Sequence, residues 1–232
     1  IIRFSGYLIP VFLLVGSALA AEALKDDLPK YYSQNLNQPY PKNVYWGDTH
    51  VHTNLSMDAY GWGNEVLGPE EAYRFAKGEE MTAYNGLKVL LHRPLDFLVV
   101  ADHANSMGLL RAVVEKRDPA LFLTKAGRRW AQWVSKINAD DPLKVRQDKL
   151  NEIGGDMWLG DPSEVARFTR SVWHDVTTVA DKHNQPGKFT AFIGFEWTAF
   201  FNLHRVLVFK DDANKADEVL PLSSYYGSDP EG

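Results

Sequence analysis

Trp46-Gly47-Asp48-Thr49-His50-Val51-His52-Thr53-Asn54-Leu55-Ser56-Met57-Asp58 is the stretch on which the reading of this chain turns. It begins like a strand, and residues i and i+2 of a strand point to the same face. His50 and His52 can therefore aim at one point, and metal-bound imidazole nitrogens sit roughly 2.0–2.1 Å from their cation. Asp58 would reach back from the loop that follows. Taken alone the His-x-His pattern is a modest signal, because two surface histidines on an edge strand have the same spacing.

Working outward, Val44 to His50 is the first predicted strand. Gly68-Pro69-Glu70-Glu71 opens a helix, with proline in the first turn where its missing N–H costs nothing; Ala72, Phe75 and Ala76 form its expected inner stripe. Phe97-Leu98-Val99-Val100-Ala101 is short and apolar, which predicts a buried parallel strand. Leu109 to Lys116 is expected to be helical. Ala120 to Ile137 is expected to form one longer helix, with its apolar stripe at Leu123, Ala126, Trp130, Trp133, Val134 and Ile137. Asp140 to Gly160 is polar and reads as loop. Asp161-Pro162-Ser163-Glu164 is a helix start, and that helix runs to about Asn184 with Val165, Phe168, Val172, Val176, Val179 and Ala180 inside. Phe189 to Phe195 is a third strand, followed by Glu196. Leu203 to Phe209 is a fourth, and Pro221 to Gly232 is rich in turn formers. The alternation of strands and helices predicts an α/β fold.

Such folds carry their chemistry at the C-terminal ends of strands. His50, His52 and Asp58 lie at the first such end, Asp102 and His103 at the second, and Glu196 at the third. Too few residues separate Glu196 from His204 for a helical crossover. The fourth strand is thus expected to return antiparallel, with His204 beside Glu196. Several histidines with several carboxylates form a borderline-hard donor set, suited to Zn, Mn or Fe rather than Ca or Cu. One carboxylate such as Glu196 can bridge two ions, and water held by such ions ionises near neutral pH. Asp48 and Asp102 are expected to accept the second ring N–H of ligating imidazoles.

Composition narrows the function classes. The 232 residues are 45% hydrophobic and 24% charged, which is enough for one sizeable core. Net charge is -5, which argues against a nucleic-acid partner. There is no cysteine, and hence no disulfide, thiolate site or Cys nucleophile. Arg3 precedes the uncharged run Phe4 to Ala21, which contains Ala18-Leu19-Ala20. This predicts a signal peptide over residues 1–20 that lacks its first few residues. An extended, polar lead-in follows over 21–42, then the main domain over 43–232. Export by a bacterium, to the periplasm or outside, is expected, with no stable membrane span after cleavage.

Taken together, His50 to Asp58, Val100-Ala101-Asp102-His103 and Glu196 resemble the first three motifs of the PHP (polymerase and histidinol phosphatase) superfamily. More narrowly, Trp46 to His50, Arg93-Pro94-Leu95-Asp96-Phe97, Phe192 to Thr198 and Asn202-Leu203-His204-Arg205 resemble the DUF3604 family within it. The resemblance implies a distorted (β/α)7 barrel, a centre of two or three divalent ions, and phosphoesterase-like hydrolysis of a small molecule by metal-activated hydroxide. Carried over residue by residue, it implies His50, His52, Asp58, His103, Glu196 and His204 as metal ligands. It also implies a further histidine and a late Asp-x-His motif, whereas no histidine follows His204; a partial barrel, incomplete at its C-terminus, is therefore expected. An amide or ester hydrolase on the same centre and a non-catalytic secreted metal-binding protein are the alternatives.

The remaining candidates have plainer explanations. His92 is expected at the surface and His174 in solvent. His183 is expected to be a core histidine near the end of the long helix. Trp130 and Trp133 are expected in the core. Arg205 should point away from His204, and Arg93, Asn54 and Asn105 lie near the rim.

Overall fold

A computed structural model describes residues 43–137, 141–149, 162–199 and 203–224. The chain divides into two compact units, Ile1–Val44 and Tyr45–Gly232, and all but the first two described residues lie in the second. The expected leader and lead-in, Asp161, residues 200–202 and most of the turn-rich end lie outside the described residues.

The second unit is a mixed α/β fold around a curled, half-barrel sheet of four strands. These are β1 (Gly47–Val51), β4 (Phe97–Val100), β5 (Thr190–Trp197) and β6 (Arg205–Val208), paired in that spatial order. β1 and β5 both run parallel to β4, and β6 runs antiparallel to β5. The apolar run of β4 follows from this placement: a strand with a neighbour on each side and helices packed on it has no face left for water. Leu98, Val99 and Val100 are all buried.

Between β1 and β4 come two helices and a small hairpin. The helices are α1 (Met57–Gly61) and α2 (Pro69–Ala76); the hairpin pairs β2 (Met81–Thr82) with β3 (Lys88–Val89). Pro69 takes the first position of α2, and the Gly68 N–H donates to Glu71 Oε2 at 3.0 Å. After β4 come α3 (Leu109–Val114), a short 3-10 turn at Leu121–Leu123, α4 (Lys125–Val134) and the long α5 (Pro162–His183); α6 (Ala213–Ala216) follows β6.

Two hydrophobic clusters result. The larger joins Tyr73, Leu98, Val100, Trp173, Ile193, Phe195 and Trp197 between the sheet, α2 and α5. The smaller joins Tyr60, Leu110, Leu121, Trp130 and Phe168 between α1, α3, α4 and α5. Among the described residues no helix is long and apolar enough to cross a membrane.

Several expectations need correction. The helix expected over Ala120 to Ile137 is broken, because Thr124 Oγ1 accepts from the Gly127 N–H and starts a new helix there. Leu123, placed in the apolar stripe, is instead 78% exposed. In α2 Ala76 is buried as expected, but Tyr73 rather than Phe75 is buried with it; the phenol fits the core because it donates to the Phe192 carbonyl at 3.0 Å. Residues 143–149, expected as loop, are helical. His174 is exposed, as expected, and its Nδ1 also meets Asp217 Oδ2 at 2.6 Å, which helps seat α6 on α5. His183 is buried, stacked on Tyr73 with centroids 5.5 Å apart, with Glu70 Oε2 2.9 Å from its Nε2.

Candidate metal centre

The C-terminal ends of β1, β4 and β5 converge, and β6 starts beside them. His50 lies within β1 and His52 one residue beyond it. Their convergence is not plain strand alternation: the β1–β4 register shifts between Asp48 and Val51, and such an irregularity re-aims side chains. His50 Nε2 and His52 Nε2 come to 3.0 Å of each other. Two donors on one tetrahedral cation would stand about 3.3 Å apart for bonds of 2.0–2.1 Å.

Glu196 lies inside β5, not after it as expected, since the strand extends to Trp197. Its main chain is held by the segment that follows β4. The Glu196 N–H donates to the Asp102 carbonyl at 3.0 Å, and the Ala104 N–H donates to the Glu196 carbonyl at 2.9 Å. The carboxylate is the hub of the site. Its Oε1 is 2.8 Å from His50 Nε2, while its Oε2 touches His103 Nδ1 and lies 3.3 Å from His204 Nδ1 and 3.6 Å from His52 Nε2.

Asp58, in the first turn of α1, completes a neighbouring set. Its Oδ2 is 3.1 Å from His52 Nδ1 and 3.4 Å from His103 Nε2. All six residues singled out as ligands are thus together: His50, His52 and Glu196; His52, Asp58 and His103; and His103, Glu196 and His204 each form a group that could hold a cation. Within each group one atom from every residue lies within 4.8 Å of the others.

The electrostatics follow from this crowding. Burial resists ionisation of Asp58, but hydrogen bonds with His103 and His52 outweigh it and hold the carboxyl well below the usual range. Burial likewise opposes charge on Glu196, and contact with His103, reinforced by His52 and His204, brings it below its ordinary value. His103 is the counterpart: burial disfavours its cation, yet Asp58 and Glu196 push its pKa up to about 9. The donor set fits a divalent ion on an independent ground. Glu196 Oε2 is buried and makes no well-aligned hydrogen bond, although His103 Nδ1 touches it and nitrogens of His204 and His52 lie close by. A buried carboxylate oxygen so poorly paired is costly, and a cation held with the His204 and His52 nitrogens would compensate it.

The two supporting carboxylates act differently from expectation. Asp48 was expected to orient an imidazole; its Oδ1 instead accepts the main-chain N–H of His50 at 2.8 Å. An Asp side chain readily bonds the backbone two residues on, so the local turn wins over the ring. Asp102 is likewise aimed at the β1 loop rather than at a ring. Its Oδ1 accepts from the Thr53 N–H at 2.6 Å and from Ser56 Oγ at 2.7 Å, and its Oδ2 accepts from Thr53 Oγ1 at 2.7 Å. Burial pushes its pKa up, against those hydrogen bonds. Ser56 Oγ in turn accepts the His103 N–H at 3.0 Å. Asp102 therefore bolts the ligand loop of β1 to that of β4.

Thr53, Ser56 and Thr198 were not singled out from the sequence. The available signal was their position beside ligands, together with hydroxyls small enough to be buried whole. Among the rim candidates, Asn54 is buried, and its Oδ1 accepts from Arg111 Nη1 at 3.0 Å. Arg93 pairs with Asp96 at 3.5 Å. Arg205 turns its guanidinium over the Trp197 ring, 5.8 Å from its centroid.

No curated protein and no solved structure matches the chain. One family model does, that of the protein of unknown function DUF3604, over residues 39–232. Those residues include every strand and every candidate ligand described above, and the chain belongs to the DUF3604 family.

Proposed function

We propose that this protein is a metal-dependent hydrolase acting on a phosphoester of a small molecule. The observation that carries the reading is the Glu196 carboxylate, whose two oxygens face different imidazoles: Oε1 meets His50, and Oε2 meets His103 and His204. A carboxylate so placed suits two ions held side by side. His50, His52, Glu196, His103, His204 and Asp58 would hold two or three divalent ions, with Zn, Mn and Fe matching the nitrogen and oxygen donors. Ions of this kind lower the pKa of water and neutralise charge that builds on phosphoryl oxygens.

The chain's own part is preorganisation. Glu196 and Asp58 are kept ionised by the histidines around them. The Asp102 bolt fixes the loop that carries His52 and Asp58 relative to His103. The absence of cysteine and the crowding of nitrogen donors favour an activated water over a side-chain nucleophile. A place in the PHP superfamily, with its distorted (β/α)7 barrel, belongs to the same proposal. Its support is the resemblance of the motifs and the three parallel strands that present them. Export is also part of it, supported by the uncharged run Phe4 to Ala21.

The test is metal analysis of purified protein, followed by assay on panels of phosphoesters and of carboxylic esters and amides, with Mn, Zn or Fe added back after chelation. We expect bound divalent metal, phosphoester turnover lost on chelation, and recovery with metal. Turnover confined to carboxylic esters or amides, or metal without turnover on any panel, would overturn the phosphoester reading.

A further inference from the structure

Thr198 lies just past β5, is buried, and takes no part in the donor groups described above. Its Oγ1 donates its one hydrogen to the Glu196 carbonyl at 3.1 Å. That leaves an oxygen lone pair facing His103 Nδ1 at 2.9 Å. The same Nδ1 abuts Glu196 Oε2, an acceptor as well. A ring nitrogen flanked by two acceptors carries hydrogen. In the neutral imidazole the lone pair is then on Nε2, which faces Asp58 Oδ2 at 3.4 Å.

This decides between two of the donor groups. One uses His103 through Nε2, with His52 and Asp58; the other needs His103 through Nδ1, with Glu196 and His204. We propose that Thr198 is a positioning residue, fixing the His103 ring as its Nδ1–H form and so committing His103 Nε2 to the group of His52 and Asp58. The inference rests on the metal-centre reading only for its consequence; the ring form itself can be tested without metal. Thr198 is itself held from behind, since its carbonyl accepts the Ser224 N–H at 3.1 Å. The residue that orients this ring is thus anchored by the segment beyond α6.

The experiment compares wild-type protein with Thr198→Val and Thr198→Ser. Histidine 15N shifts are read in the metal-free protein more than one pH unit above the His103 pKa of about 9, where the ring is predominantly neutral, and zinc affinity is measured by competition with a chelator. We expect hydrogen on His103 Nδ1 in the wild type and in Thr198→Ser. We expect a shift toward the Nε2–H form in Thr198→Val, with zinc affinity lowered roughly 10- to 100-fold, as is usual when an outer partner of a ligating histidine is removed. Thr198→Ser should keep wild-type affinity. Hydrogen on Nε2 in the wild type, or a Thr198→Val protein with unchanged ring form and affinity, would overturn the inference. Failure of the wild type to bind zinc at all would sink the proposed function instead, while the 15N shifts would still decide the role of Thr198.

Discussion

The centre and the edges of the sheet carry the same kinds of candidate ligand in different settings. β4 and β5 have a strand on each side, whereas β1 and β6 have one neighbour each among the described residues. Glu196 in β5 and His103 just past β4 have side chains only 2% and 14% exposed, while His50 in β1 and His204 just before β6 are 46% and 31% exposed. The central pair therefore sets where the site is, and the edge pair comes to it. Buried groups with many partners have few alternatives, while exposed imidazoles are held mainly by what they bind. The two regions should accordingly respond differently to substitution, and the effects can be ranked.

The largest effect is expected from Glu196→Ala. With this carboxylate gone, bound metal should fall sharply and turnover should drop below detection in the phosphoester assay; wild-type activity in this variant would erase the distinction between centre and edge. Next comes Asp102→Ala. It leaves the Thr53 N–H and two buried hydroxyls without their acceptor, and should lower stability by about 3 kcal/mol in urea unfolding.

A pH series on metal-free protein sharpens the comparison further. The pKa of His103 is raised from 6.5 to about 9 in the folded state. Its contribution is therefore fully present below about pH 6.5 and is lost as pH rises through about 9. Urea midpoints should fall across that window by the equivalent of about 2 kcal/mol, allowing for partial solvent screening. Zinc affinity should move the opposite way and rise with pH, because a ligating His103 must give up a proton. The smallest effect on stability belongs to the edge. His50→Ala should change the unfolding free energy by less than about 0.5 kcal/mol, while weakening metal binding in titration calorimetry.

What could be read in the sequence divides along a similar line. The apolar run at Phe97 to Ala101, the helix start at Pro162 and the antiparallel return that brings His204 to Glu196 all depend on short-range pattern, and the structure contains them. So does the meeting of the six candidate ligands, because strand ends in an α/β sheet share a rim. The partner of each supporting carboxylate was not legible. Asp102 and Thr53 are bonded across 49 positions, a pairing that no local pattern encodes. Asp48 was misjudged for the opposite reason: its nearest backbone N–H offered a closer partner than any ring. The helix break at Thr124 shows a third limit. The apolar period runs through Leu123 without interruption, and only the capping hydroxyl marks where one element stops and the next starts.

The bolt at Asp102 has a consequence for hydrogen exchange. The Thr53 amide is donated to a carboxylate on the far side of the β1–β4 pairing, and the His103 amide is donated back to Ser56. Neither can be released by fraying of one loop, since each is secured by a segment whose own position depends on the other. These two amides should therefore be among the last to take up deuterium, doing so only when the whole molecule opens. The segments that carry the ligands would then be as long-lived as the fold itself.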